Sequence, residues 1–417
     1  MEISRDKYLQ ELIDRKHNGL VKVVTGIRRV GKSYLLFNLY YRYLINQGVD
    51  ADHIIRIAFD DRRFAELKYP DALIHHIDSL MTDSKMYYLL FDEVQELDSF
   101  ESVLNSLLYL ENADIYVTGS NSRFLSKDIL TEFRGRGDEV HLYPLTFAEF
   151  MSVYDGDKYE GWNEYYTFGG LPMVLKRKTW QQKSEYLSQL FTETYLKDII
   201  ARNNIKHAGE LDTLITVLAS AVGSLTNPKR ISDTFKTETS SSISPATVKS
   251  YLDYLEDAFL IKGVQRYDVK GRRYITTPLK YYFEDVGLRN ARLNFRQQEE
   301  NHIMENIIYN ELRKRGYNVD VGVVDKQEKQ ADGKYIRKQY EVDFIVNQGS
   351  LRYYIQSAFS LPDDEKVRQE KMSLLNIDDS FKKIIVVKGP AMLKRDNDGV
   401  VTMSIFDFLL NENSLDF

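Results

Sequence analysis

The first third of the chain alternates short apolar runs with segments whose apolar residues recur at helical spacing. Val21–Thr25, His53–Phe59, Met86–Glu93 and Asp114–Thr118 read as strands rich in β-branched and aromatic residues. Arg5–Arg15 reads as a short amphipathic helix. Leu35, Leu36, Leu39 and Tyr43 mark a second helix, with Gly48 as its C-cap. Leu73, Ile77 and Leu80 turn inward on Asp71–Met81, and Phe100, Val103, Leu104 and Leu107 share one face of Ser99–Leu110. Strands and helices in alternation predict an α/β fold with a parallel sheet, its ligand-binding residues at the strand carboxyl ends. Val140–Phe150 supplies the last strand and turns into helix.

Farther along, Gly169-Gly170 and Pro172 interrupt Trp162–Met173, a candidate boundary. Gln181–Ile200 is one long helix carrying Leu187, Leu190, Phe191 and Tyr195. A smaller unit follows. Leu211, Leu214, Ile215, Leu218 and Val222 define a helix stopped by Gly223, and Ile231–Phe235 is a short second helix. Ser244-Pro245, an N-cap followed by proline at the first helical position, starts a third with Val248, Tyr251, Leu252 and Leu255 inward. Phe259–Tyr267, the basic turn Lys270-Gly271-Arg272-Arg273 and the returning strand Tyr274–Thr276 form a hairpin. Three helices and a hairpin look like a winged helix-turn-helix. The last stretch opens on the helix Asn301–Arg315. Val319–Val324, Glu341–Val346, Tyr353–Ala358 and Lys383–Val387 read as strands, with the helix Glu365–Ile377 crossing over between the last two. Asp325–Lys338 reads as a polar loop.

At 417 residues there is room for two or three domains of roughly 150 residues each. Zero cysteines exclude disulfides and thiolate metal sites and fit a cytoplasmic chain. The histidines include no pair at helical ligand spacing, so no zinc site is expected. Residues 1–20 carry charges throughout, unlike a signal peptide, and no run approaches the ~18 apolar residues of a membrane span. A net charge of −6 argues against a wholly basic nucleic-acid binder but not against a local basic patch.

Two motifs carry the chemistry. Gly26-x-x-x-x-Gly31-Lys32-Ser33 lies between strand and helix, the context a phosphate-binding loop requires. There backbone N–H groups wrap the phosphates of ATP, Lys32 reaches the β- and γ-phosphates, and the Ser33 hydroxyl ligates Mg²⁺. The candidate nucleotide-binding set is Gly26, Arg28, Arg29, Val30, Gly31, Lys32, Ser33 and Tyr34; Arg28 or Arg29 either touches phosphate or pairs with a nearby acid. Met86–Glu93 ends in Asp92-Glu93, so that Asp92 holds Mg²⁺ and Glu93 activates the attacking water; solvated acids at a strand end are the alternative.

After the next strand, Asn121 is the first choice for a γ-phosphate sensor and Ser120 the second. Both equally suit the cap of a helix starting near Arg123. In Arg134-Gly135-Arg136, a Gly-flanked arginine, Arg136 or else Arg134, suits an arginine finger reaching a neighbour's nucleotide in a homo-oligomer, with a solvated surface arginine as the alternative. Lys249, Lys270, Arg272 and Arg273 on the winged unit could meet DNA phosphates, with a protein contact or a spacer as the alternative.

Gly-x-Arg-Arg-x-Gly-Lys-Ser at 26–33, Asp-Glu-x-Gln at 92–95, Gly-Ser-Asn at 119–121, Gly-Arg at 135–136, Pro-Leu-x-Phe-x-Glu-Phe at 144–150 and Gly-Gly-Leu-Pro at 169–172 occur in order. As a set they resemble the prokaryotic AAA-type ATPases that carry a C-terminal domain of unknown function. The resemblance covers nearly the whole chain. It implies an AAA-like P-loop ATPase domain (1–165), a helical connector (166–207), a winged helix-turn-helix (208–283) and a domain resembling the PD-(D/E)xK nuclease core (284–417). It leaves the substrate largely undefined, and two readings stay open: an enzyme that hydrolyses ATP with Mg²⁺ on or beside DNA, or a nucleotide-dependent switch. The nuclease chemistry needs an acid and then acid-x-Lys. Glu305 and Asp343 supply acids, but Gln356 and Ala358 stand at the acid and lysine positions, so cleavage is not expected.

Overall fold

Five short strands build the first sheet: β1 (Val21–Thr25), β2 (Ile54–Ala58), β3 (Tyr87–Asp92), β4 (Ala113–Thr118) and β5 (Gly137–His141). All pairings are parallel and the order is β2-β3-β4-β1-β5. Every residue of β1 and β3 is buried, as strands covered on both faces must be. Leu73 and Ile77 from the helix Pro70–Leu80, with Val103, Leu104 and Leu107 from Phe100–Leu107, share a core with Leu89, Phe91, Ile115 and Val117. Leu80, expected inward, is exposed because it is the last residue of its helix.

The structure is a computed structural model that describes residues 3–119, 135–238, 243–296, 299–329 and 335–417. The chain forms two units, Met1–Pro144 with Glu256–Phe259 and Leu145–Leu255 with Leu260–Phe417. Among the described residues no helix is long and apolar enough to cross a membrane.

In the first unit Lys22 is fully buried and pairs with Asp114, which also accepts from the Tyr116 hydroxyl at 2.9 Å and the His17 N–H at 3.1 Å. A charge so deep is tolerable only with its partner satisfied in this way.

The second unit holds an eight-stranded sheet. Its strands are β6 (Ile261–Asp268), β7 (Arg273–Phe283), β8 (Asn318–Lys329), β9 (Tyr335–Gln348), β10 (Leu351–Ala358), β11 (Lys382–Val387), β12 (Lys394–Arg395) and β13 (Val400–Ser404). The order is β12-β13-β11-β10-β9-β8-β6-β7. Helices Ala208–Ser220, Pro228–Glu238 and Pro245–Asp257 precede the β6–β7 hairpin, in the sequence of elements read for the winged unit. The hairpin does not stand apart: Arg266–Asp268 of β6 pair with Val321–Val323 of β8, so one sheet crosses the boundary read at residue 283.

Among the described residues, two segments hold more strand than the pattern suggests. The returning strand runs on through Pro278 to Phe283; β7 is the sheet edge, where a missing N–H is tolerated. Asp325–Lys338 reads as a polar loop, yet Asp325 pairs with Gln339 and Lys329 with Tyr335, extending the β8–β9 ladder. Cross-strand contacts such as Arg337 with Asp325 hold it together, and no apolar face advertises it.

Gly169-Gly170 lies inside the second unit, at a close crossing rather than in a linker. A Cβ at Gly170 would stand 2.4 Å from the Leu145 carbonyl oxygen. The Gly170 N–H donates at 2.8 Å to Asp285, whose other oxygen caps the helix Val286–Arg292 by accepting from Leu288 N–H at 3.0 Å. Burial pushes the Asp285 carboxyl from the ordinary 3.8 up to about 6, against the pull of these N–H groups. A raised carboxyl favours the folded state most below its unfolded pKa and loses that contribution as pH climbs through its folded one. Asp285 should therefore remove about 3 kcal/mol of stability between pH 4 and 6. Urea unfolding across that range should find this part of the slope missing in Asp285→Asn.

Candidate active site

The loop between β1 and the helix starting at Lys32 owes its path to glycine. Gly26 has φ 133°, and a Cβ there would stand 2.2 Å from the Leu142 carbonyl oxygen. Gly31 has φ 106°, and Arg29 is also left-handed at φ 65°. Ile27 and Val30 are buried and anchor the loop from beneath. Lys32 is buried, its ammonium donating to the carbonyls of Gly26 at 2.9 Å and Ile27 at 3.1 Å. Arg28 is half-buried, while Arg29, Ser33 and Tyr34 are exposed. The helix continues from Lys32 to Asn46 in three unbroken pieces, so its free N–H groups face the loop.

Register brings the second motif to this loop. Val24 pairs with Thr118 and Phe91 with Val117, which sets Thr25, Thr118 and Asp92 along one edge of the sheet. The Thr118 hydroxyl donates to Asp92 Oδ1 at 2.5 Å and accepts the Glu93 N–H at 3.0 Å. Burial raises the Asp92 pKa; hydrogen bonds from Thr118 and Ser33 oppose it, and Glu93 and Asp60 add to the rise. Glu93 sits at φ 50° immediately after β3, and the Gln95 amide donates to its carboxylate.

Thr118 and Gln95 thus belong to the site, although sequence reading passed over Thr118 and quoted Gln95 only within a motif. Thr118 does its work through strand register, which no local pattern encodes.

The remaining expectations divide. Asn121, Ser120 and Arg134 lie outside the described residues. Arg136 is exposed, 3.4 Å from Asn105 Oδ1, with its guanidinium 5.9 Å from the Tyr109 ring centroid. It immediately precedes β5 and accepts the Val21 N–H at 2.9 Å, which places it at the amino end of the sheet. The loop lies at the carboxyl end, about 16 Å away along a five-residue strand.

In the second unit Lys249, Lys270, Arg272 and Arg273 are exposed. Lys270 lies 3.4 Å from Asp378 and Arg273 3.5 Å from Asp268. Glu305, on the helix Glu300–Lys314, and Asp343, on β9, converge on a buried lysine, Lys280, that sequence reading did not select. Gln356 Oε1 accepts from the Ser373 hydroxyl at 3.3 Å, and Ala358 is packed in an apolar core with Val342, Ile345 and Leu374.

A family model described as an AAA domain matches residues 18–151, and one for a domain of unknown function matches residues 159–299. An uncharacterised protein of Haemophilus influenzae is 34% identical over 414 residues, 98% of each chain. One from Methanocaldococcus jannaschii is 28% identical over 364 residues, covering 84% of this chain and 77% of its own. Among solved structures, Cdc6p of Pyrobaculum aerophilum overlaps 73% of this chain and 94% of its own, with 13% identity and a TM-score of 0.31.

Proposed function

Since the chain belongs to one family with the uncharacterised Haemophilus influenzae protein and matches an AAA domain over residues 18–151, we propose that it binds ATP and hydrolyses it with Mg²⁺ on the Gly26–Ser33 loop. One observation carries this reading: Ser33, Asp92, Thr118 and Glu93 form one hydrogen-bonded unit, although the two motifs are far apart in sequence.

The Lys32 ammonium exchanges the carbonyls of Gly26 and Ile27 for β- and γ-phosphate oxygens, and the loop and helix N–H groups hold the rest. The Ser33 hydroxyl and Asp92 carboxylate, already in contact, are hard oxygen donors of the kind Mg²⁺ takes. Bound there, Mg²⁺ supplies positive charge to the phosphates being separated. Glu93 accepts a proton from the attacking water while the Gln95 amide orients its carboxylate. Asn121 is assigned as the γ-phosphate sensor. Arg136 faces away from its own loop, so as an arginine finger it serves a neighbouring subunit's nucleotide in a homo-oligomer.

DNA is the partner first assigned, through Lys249, Lys270, Arg272 and Arg273. A nucleotide-dependent switch without DNA is the second reading, favoured by the pairing of Lys270 with Asp378 and Arg273 with Asp268. Phosphate release with and without duplex DNA, alongside the mass of the complex with ATP and with ADP, separates them. Stimulation by DNA supports the first; nucleotide-dependent assembly without stimulation supports the second. Absence of both binding and turnover of ATP overturns the ATPase reading.

A further inference from the structure

The second unit carries an arrangement that the nucleotide chemistry does not use. Lys280 on β7 is 3% exposed at its side chain, yet carries an ammonium. That ammonium lies 2.8 Å from Glu305 Oε1, 2.7 Å from Glu341 Oε1 and 3.9 Å from Asp343 Oδ1. The three acids come from two elements, the helix Glu300–Lys314 and β9, and the lysine from a third. Tyr282, two residues along β7 and on the same side, donates its hydroxyl to Glu305 Oε1 at 2.5 Å. The other oxygen of Asp343 accepts the Ser357 N–H from β10 at 2.8 Å.

Lys280 is held there by its backbone. Asn306, one residue after Glu305, donates at 2.8 Å to the Phe283 carbonyl and accepts the Phe283 N–H at 2.9 Å. Asn310 donates to the carbonyls of Phe283 and Glu284, both at 3.0 Å. The carboxyl end of β7 is therefore clamped to the helix that carries Glu305.

Three carboxylates drawn to one point, two of them buried, repel one another unless a cation stands among them. We propose that Lys280 is that cation: a built-in counter-ion whose ammonium fills the seat between Glu305, Glu341 and Asp343 that a divalent ion would otherwise take.

The charge balance agrees. Burial acts most strongly on Lys280 and would lower its pKa, but Glu305, Asp343 and Glu341 together reverse this and raise it, so it stays protonated. Burial, then Glu305, pushes the Asp343 carboxyl well above the usual carboxylate range. Glu305 and Glu341 share the ammonium, and Glu305 also accepts the Tyr282 hydroxyl. The cluster is not sealed. Glu341 opens on a groove of about 480 Å³ whose wall also includes Lys338, Tyr340, Gln356, Glu365 and Arg368, so a small ion has a route in.

Lys280→Met removes the charge and keeps the bulk, and should convert the cluster into a divalent-ion site. The test is Mn²⁺ titration of the full chain without nucleotide, comparing wild type with Lys280→Met so that any ion at the nucleotide loop cancels. The variant should bind one more Mn²⁺ per chain, lose it again when Asp343→Asn is added, and melt roughly 5 °C higher with Mn²⁺ at 100-fold its Kd. If Lys280→Met fails to fold in chelator, Mn²⁺ should restore folding.

The proposal is overturned if folded Lys280→Met takes up no extra ion, or if the unfolded variant is not rescued. Wild type is the second measurement. A site on wild type that Asp343→Asn abolishes, or Mn²⁺-dependent DNA cleavage lost in the same variant, would show that the seat was never filled by lysine.

Discussion

Glu93→Gln is expected to bind ATP as wild type does and to turn it over at least ~10²-fold more slowly, the usual cost of removing a general base. The substitution changes little else. Glu93 is fixed by a left-handed backbone at φ 50° and by its N–H bond to Thr118 at 3.0 Å, and neither involves the carboxylate. Glutamine has the same length and still meets the Gln95 amide, but cannot take a proton from water. Steady-state phosphate release and a nucleotide titration on the same preparation check both halves. Unchanged turnover would mean that another group acts as the base.

Lys32→Ala is expected to act one step earlier and weaken ATP binding by roughly 10²-fold, the worth of charge-assisted hydrogen bonds to phosphate. Its ammonium is the buried cation of the loop, held by the carbonyls of Gly26 and Ile27 within reach of the phosphates. Alanine is a good helix former at this first helical position. Melting without nucleotide should move little, while the stabilisation by added ATP should largely vanish. Near-normal ATP affinity in Lys32→Ala would place the nucleotide elsewhere.

How much of this could be read from the residues differed between the two units. β1 to β4 announced themselves because parallel strands covered by helices are dominated by apolar residues, most fully in Tyr87–Phe91, with Lys22, Arg56 and Asp114 the exceptions. The loop was legible because its glycines have a steric reason to be there, Gly26 most plainly. Thr118 was not, since its position beside Asp92 depends on which strands are neighbours. Lys280 was obscured twice. Pro278 ended the expected strand early, and a lysine between Leu279 and Tyr281 looks like a solvated edge position until the helix Glu300–Lys314 is packed against it. Glu341, the seventh residue of β9 and the last before its buried half, gave no sign of facing the same point as Glu305.

The claim that one site joins Lys32, Asp92 and Glu93 in ATP hydrolysis is tested most directly by the identity of the bound nucleotide. Wild type and Glu93→Gln are each mixed with sub-stoichiometric ATP and Mg²⁺, quenched after a fixed interval, and the nucleotide retained on the protein is identified. Wild type should hold ADP and Glu93→Gln should hold ATP, with neither result obtained in EDTA. ATP retained unhydrolysed by wild type, or ADP accumulating equally on both, would contradict it.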